Sequence, residues 1–328
     1  MNKPPGKAAN QAPGTTTGQQ VKRVSVVEVS PRDGLQNETQ HVPTPGKVEL
    51  CELLLAAGVL RLEATAFVSP RWVPQMADAS AVLGQINRGA SPQPAQVCLS
   101  ALVPNLQGLH AALAAGVQEV VVFTAASEAF TQQNIHCTIA QSIERFKPVV
   151  ELARQRGVHV RASISCALGC PYQGAVPADA VAQVARQLLD LGITELDVAD
   201  TIGVGTAGRV QEVFERVAAV TGVQALAAHF HDTYGQALTN VYAALGVGVR
   251  TFHSSVAGLG GCPYAQGATG NLATEDLVYL LHGLGYHTGL DLPSLARTGQ
   301  WVSRILGRRN ASRVGCALEA AQLAERLQ

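Results

Sequence analysis

VSVVEVSPRDGLQNE, residues 24–38, decides between two α/β architectures. Its opening VSVVEV is rich in β-branched valine and reads as a buried strand. A doubly wound dinucleotide-binding sheet follows its first strand with a glycine-rich fingerprint, so that backbone amides can approach a pyrophosphate. Here the strand runs instead into Ser30-Pro31-Arg32-Asp33-Gly34, a turn that carries a fixed cation beside a carboxylate. No dinucleotide site is expected, and the fold must be read from what repeats after this strand.

The same unit recurs along the chain. Further strands are predicted at LRLEATAF (from Leu60), QVCLSALV (from Gln96), VQEVVVF (from Val117), VHVRASISC (from Val158), ITELDVAD (from Ile193), VQALAAHFH (from Val223) and VRTFHSSV (from Val249). Between them lie helical stretches such as TPGKVELCELLLAAG and ADAVAQVARQLLDLG, several closed by glycine before the next strand begins. Strand and helix alternating eight times in about 250 residues is the pattern of an α/β (β/α)8 TIM barrel. The barrel is expected over residues 21–285, with a C-terminal extension of extra helices packed on it over 286–328. Residues 1–20 lack core-forming side chains and are rich in Gly, Pro, Thr and Gln, so a disordered tail is expected there. A transit peptide fits less well, because that segment contains no arginine.

Composition narrows the function. Of 328 residues 47% are hydrophobic, enough for a sizeable core, and 24 Lys plus Arg balance 24 Asp plus Glu. That balance gives no reason to expect nucleic acid or an anionic membrane surface as partner, so a small-molecule substrate is the expected one. No apolar run is long enough to span a bilayer and no secretory h-region is present, which predicts a cytoplasmic protein. The seven cysteines, Cys51, Cys98, Cys137, Cys166, Cys170, Cys262 and Cys316, are scattered without C-x-x-C spacing and read as free thiols.

In a TIM barrel, chemistry sits at the C-terminal ends of the strands. Those ends carry Glu28 with Arg32 and Asp33, Glu63, Asp200, and His229-Phe230-His231-Asp232. His229 and His231 are two apart on a strand, so the period of two aims both rings to one face. With Asp33 and Asn271 they offer two nitrogen and two oxygen donors, a set that suits octahedral Mg²⁺ or Mn²⁺ better than a closed zinc site. Other readings stand beside this one: a buried hydrogen-bonded histidine pair, an Asp-Gly turn at Asp33, and Asn271 as the N-cap of the helix NLATEDLVYLLHGL. Arg32 calls for an anionic partner, either a substrate oxyanion or a local pair with Glu28 or Glu38. Glu63 and Asp200 read equally as salt-bridge partners in the barrel mouth.

After the eighth strand comes VAGLGGCPYAQGATGN, residues 256–271, where Cys262 lies among Gly258, Gly260, Gly261, Gly267 and Gly270. So many glycines weaken any regular element and predict a loop that moves. A lone cysteine is more often a small buried hydrophobe, yet on such a loop it invites a chemical reading.

The segment SVAGLGGCPYAQGATGNLATEDLVYLL resembles the signature loop and following helix of the hydroxymethylglutaryl-CoA lyase family. The likeness extends to VEVSPRDGLQNE, EATAFVSPRWVPQMAD, ASEAFTQQNIHCTIAQSIERF, ASISCALGCPYQG, DTIGVGT and HFHDTYGQAL, from about Val24 to about Gly285. The resemblance implies metal-dependent cleavage of 3-hydroxy-3-methylglutaryl-CoA to acetyl-CoA and acetoacetate, a step of leucine degradation and ketone-body formation, in a homodimer. It also implies Asp33, His229, His231 and Asn271 as ligands of Mg²⁺ or Mn²⁺, Arg32 on the thioester oxygen, Cys262 in proton transfer, and Glu63 and Asp200 as supporting acids. The alternative is a synthase of the same superfamily that condenses an acyl-CoA with a 2-oxo acid; the GLGGCPYA loop and the lack of a long regulatory domain argue against it. The chain departs from the family in ELDVAD, with Asp197 and Ala199 where serine and glycine are common. Beyond about Leu290 the likeness is poor, and although Cys316 resembles a C-terminal regulatory thiol of some members, no redox role is carried over to it.

Overall fold

Valine, leucine and alanine dominate the strand faces turned toward the helices, and that outward face is where the main apolar core lies. The computed structural model describes residues 22–86, 96–261 and 270–326, and the expected tail at 1–20 lies outside them. Eight strands are seen among the described residues: β1 (Ser25–Glu28), β2 (Arg61–Ala66), β3 (Cys98–Leu102), β4 (Glu119–Ala125), β5 (His159–Ser165), β6 (Glu195–Asp200), β7 (Leu226–Phe230) and β8 (Thr251–Ser254). Each pairs in parallel with the next, and β8 pairs with β1, so the sheet closes into a barrel. Every strand expected from the sequence is present. The opening residues of the seventh, Val223–Ala225, form a helical turn instead.

Parallel neighbours joined by helices leave the outer face of every strand buried. Phe230 of β7 illustrates the packing, with its ring 6.1 Å from that of Phe214 in the helix Ala207–Thr221. Full burial of such a side chain contributes roughly 1.5–3 kcal/mol.

The barrel interior is unusually charged. Arg161 of β5, 1% exposed, hydrogen-bonds Glu63 of β2, Glu119 of β4 (2.9 Å) and Asp197 of β6 (2.8 Å). Arg61 of β2 reaches Glu119 (3.0 Å) and Glu195 of β6 (2.8 Å). Since β2 is adjacent to neither β5 nor β6, the Arg161–Glu63 and Arg61–Glu195 pairs cross the interior. Where many barrels fill this space with branched apolar layers, this one fills it with arginines and acidic side chains.

Two buried acidic side chains fix the chain where it leaves β8. Glu28 accepts hydrogen bonds from the Ser30 and Val256 amides (3.0 and 3.1 Å) and from Thr274 Oγ1 (2.6 Å). Glu275 accepts from the amide of Ala257 (3.0 and 3.1 Å), a residue held at φ +58° in the left-handed region that non-glycine residues seldom occupy. The helices Leu292–Ile305 and Arg313–Arg326 follow the last strand. Asp276 caps the second of them, accepting from Ser312 Oγ (2.7 Å) and the Val314 amide (2.8 Å), and Ala311 donates to the carbonyl of Ala257 (3.1 Å).

Burial pushes the Glu275 carboxyl up from 4.5 to about 8. The folded chain therefore holds a proton that the unfolded chain releases between those values. The stability that proton supplies is complete below pH 4.5 and is lost as pH rises through about 8. Glu275→Gln is expected to flatten the fall in thermal midpoint between about pH 5 and 8, measured by scanning fluorimetry on both proteins. Equal slopes in the two would contradict this account.

Candidate active site

Arg32 and Asp33 owe their placement to an unusually wide turn. Residues Ser30–Gly34 form a single π-helical turn at the end of β1, with the Gly34 amide donating to the carbonyl of Val29 (3.1 Å). Such turns recur at functional sites because they reorient side chains at a strand end. Arg32 does not pair with Glu28 or Glu38. Its Nε donates to Glu63, and its Nη1 donates to Asp33 Oδ1 at 2.6 Å. Glu28 is instead the brace described above, and Glu38 pairs with Arg308.

On β7 and just beyond it, His229 and His231 share the inner face, with ring centroids 5.1 Å apart. Ligand atoms of Asp33, His229 and His231 all lie within 4.8 Å of one another, the one such acidic and histidine cluster among the described residues. Asn271 reaches this cluster because the segment after the glycine loop runs back beside β7. Leu272 donates to the Phe230 carbonyl (3.0 Å), Asp232 donates to that of Gly270 (3.2 Å), and Asn271 lies opposite His231. The Asn271 Nδ2 donates to Asp33 Oδ2 (2.8 Å) and to the Leu259 carbonyl (3.0 Å), while its Oδ1 is buried without a protein partner. Asn271 is not the cap of the following helix, which starts after Ala273.

Charge states fit a cation. Burial works against ionisation of Asp33, but the Arg32 charge and the two histidines outweigh it and hold the carboxyl below its usual range. Burial, together with His231, pushes His229 down to about 4, so its ring is neutral and keeps a lone pair for a metal. The Nδ1 of His231 donates to the backbone carbonyl of Asp200 (3.0 Å), which leaves Nε2 bare. A buried amide oxygen lacking a partner, an ionised carboxylate and two imidazole nitrogens match the donor chemistry of a divalent cation.

Asp200 acts differently from the other rim acids. Its carboxylate accepts the amides of Val204 (3.1 Å) and Gly205 (2.8 Å), and a Cβ on Gly205 would sit 2.8 Å from it. Its side chain shapes the loop after β6, and its carbonyl orients His231. Glu63 bridges Arg32 and Arg161, and these two charges hold its carboxyl low against the opposing effect of burial.

Sequence reasoning passed over Arg161 and His253. Both stand on strand positions whose alternation marks the inner face, but their partners lie on other strands. Cys262 lies outside the described residues. The glycines flanking it serve close packing: Gly260 has φ +103°, and a Cβ there would lie 2.6 Å from Asn271 Nδ2, while one on Gly270 would lie 1.8 Å from the Gly258 carbonyl oxygen.

The HMGL-like family model matches residues 23–302. The chain is 54% identical over 299 residues to the 3-hydroxy-3-isohexenylglutaryl-CoA/hydroxy-methylglutaryl-CoA lyase of Pseudomonas aeruginosa, covering 91% of this chain and 98% of that one. It is also similar to the crystal structure of hydroxymethylglutaryl-CoA lyase from Pseudomonas aeruginosa, with TM-score 0.88 and 54% identity over 92% of this chain and 99% of that one. A hydroxymethylglutaryl-CoA lyase from Acinetobacter baumannii, solved in complex with coenzyme A and 3-methylmalate, superposes with TM-score 0.84 at 36% identity, covering 90% of this chain and 95% of that one.

Proposed function

This chain belongs to the hydroxymethylglutaryl-CoA lyase family, and from that premise we propose that it cleaves 3-hydroxy-3-methylglutaryl-CoA to acetyl-CoA and acetoacetate. The observation that carries the reading is the Asp33, His229 and His231 cluster with Asn271 on one side and Arg32 on the other. The similarity supports the lyase and not the condensing synthase.

Asp33, His229, His231 and Asn271 would hold the cation, Mg²⁺ or Mn²⁺ by donor type. When bound, it supplies Lewis acidity to the tertiary hydroxyl and the carboxylate of the substrate. The protein's own groups do the rest. The hydroxyl loses its proton as the carbon-carbon bond breaks, with Asp33, His229 and Cys262 as the candidate acceptors. The bonding pair passes to the carbon α to the thioester and delocalises onto the thioester oxygen, where Arg32 donates. Glu63 aims Arg32 for this task, since Nε and Nη1 are the nitrogens already engaged. Cys262 then delivers a proton to the enolate carbon, which yields acetyl-CoA.

Purified protein with Mg²⁺ and 3-hydroxy-3-methylglutaryl-CoA is expected to yield acetoacetate and acetyl-CoA in equal amounts. Release of free CoA from acetyl-CoA and a 2-oxo acid, without that cleavage, would favour the synthase instead. Cys262→Ser keeps the size of the side chain but replaces a thiol with a far weaker acid, so kcat is expected to fall about 10²-fold with Mn²⁺ affinity unchanged. Turnover within a few-fold of the parent would remove the thiol from proton transfer.

A further inference from the structure

His229 and His231 differ in what holds them. Each must present a bare nitrogen to the cation, and the other nitrogen then carries the proton and needs an acceptor. For His231 the acceptor is the Asp200 carbonyl. The Nε2 of His229 lies 3.9 Å from Asp33 Oδ2, on the cluster side, and its Nδ1 lies 3.4 Å from the Nδ1 of His253. His253 stands at the same register on β8, 2% exposed, with its ring edge-on to His229 at 5.5 Å between centroids. Two imidazole nitrogens facing each other at this distance share one proton between them.

We propose that His253 is a positioning residue for His229, accepting the Nδ1 proton at its own Nδ1 and so keeping the Nε2 of His229 bare and aimed at the cluster. The inference rests on the metal reading above. A histidine that merely filled the core would satisfy both nitrogens with its own surroundings. His253 does not: its Nε2 is buried without a protein partner, and its one side-chain hydrogen bond among the described residues is to His229. Accepting through Nδ1 puts the His253 proton on Nε2, so the contact fixes both tautomers at once. Behind His253, Asp197 Oδ2 lies 3.9 Å from Nδ1 and is anchored by Arg161, which also holds Glu63 and through it Arg32. The interior ion cluster thus lies against His253 as well as holding the arginine that would bind substrate.

The test uses the full chain, freed of metal and titrated with Mn²⁺ while unbound Mn²⁺ is followed by electron paramagnetic resonance. His253→Leu removes the acceptor, whereas His253→Asn, of nearly the same shape, keeps an oxygen near the Nδ1 position. Loss of such an outer partner typically weakens metal binding about 10–100-fold, the rise in Kd expected for His253→Leu. His253→Asn should stay within about threefold of the parent, with both thermal midpoints alike. Nitrogen-15 spectra of the metal-free parent should show His229 protonated at Nδ1, a readout that stands even where His253→Leu does not fold. Parent-like Mn²⁺ affinity in His253→Leu, equal losses in both variants, or His229 protonated at Nε2 would each overturn the proposal. Two controls separate the readings: a parent that binds no Mn²⁺ overturns the metal reading itself, while binding lost in His229→Ala but kept in His253→Leu overturns only the role of His253.

Discussion

Dialysis against a chelator is expected to abolish turnover, and Mg²⁺ or Mn²⁺ is expected to restore it. A cation at such a site supplies several kcal/mol of charge stabilisation, and at 1.36 kcal/mol per factor of ten the loss is on the order of 10⁴. The fold should survive the treatment. Asp33 keeps Arg32 on one oxygen and Asn271 on the other, and the neutral His229 needs no counter-charge, so the metal-free site keeps its carboxylate paired. The thermal midpoint should drop only by the linkage between metal concentration and its Kd. His231→Ala removes a ligand and should reproduce the loss with poor rescue by added Mn²⁺. The measurements are turnover and thermal midpoint on one stripped sample, before and after metal is returned. Full turnover in the stripped protein would refute the assignment.

The residues of this site were legible in the sequence to the extent that their placement follows from local pattern. Strand runs such as VSVVEV and ITELDVAD announce themselves by β-branched residues bounded by turns, and once eight of them close into a barrel their C-terminal ends converge. That geometry alone brings Arg32, Asp33, His229 and His231 to one rim. The support beneath them was not legible, because it depends on which strands face each other across the closed interior. Arg161 on VHVRASISC could be assigned to the inner face, but nothing local says that Glu63, from 98 residues earlier, would be its partner. For Asp200 the pattern indicates the rim, but not that two loop amides would donate to its carboxylate or that its backbone carbonyl would meet His231. Equally hidden was the close approach that Gly260 and Gly270 permit, to Asn271 and to the Gly258 carbonyl. Close approach between distant segments leaves no trace in composition.

Arg32→Gln is expected to lower kcat by about 10²–10³, the loss of roughly 3–4 kcal/mol seen when one donor to a developing oxyanion is removed. KM should change by only a few-fold, since the thioester oxygen gains its charge mainly in the transition state. The structure also sets the cost to folding. Glu63 is fully buried and loses one of two cationic partners, but Arg161 stays and the glutamine amide can replace one donor. Removing a partner from a buried polar group costs about 1–3 kcal/mol, so the thermal midpoint should fall by a modest amount while folding stays cooperative. Arg32→Lys separates charge from shape. An ammonium keeps the charge but lacks the planar fork that reaches Glu63, Asp33 and a substrate oxygen together, so its kcat should lie well below the parent and above that of Arg32→Gln. The measurements are kcat and KM at saturating Mg²⁺, with the thermal midpoint of each variant taken under the same conditions. Parent-like kcat in Arg32→Gln would show that Arg32 only neutralises Glu63 and Asp33, and the charge of the enolate would then need another donor in the barrel mouth.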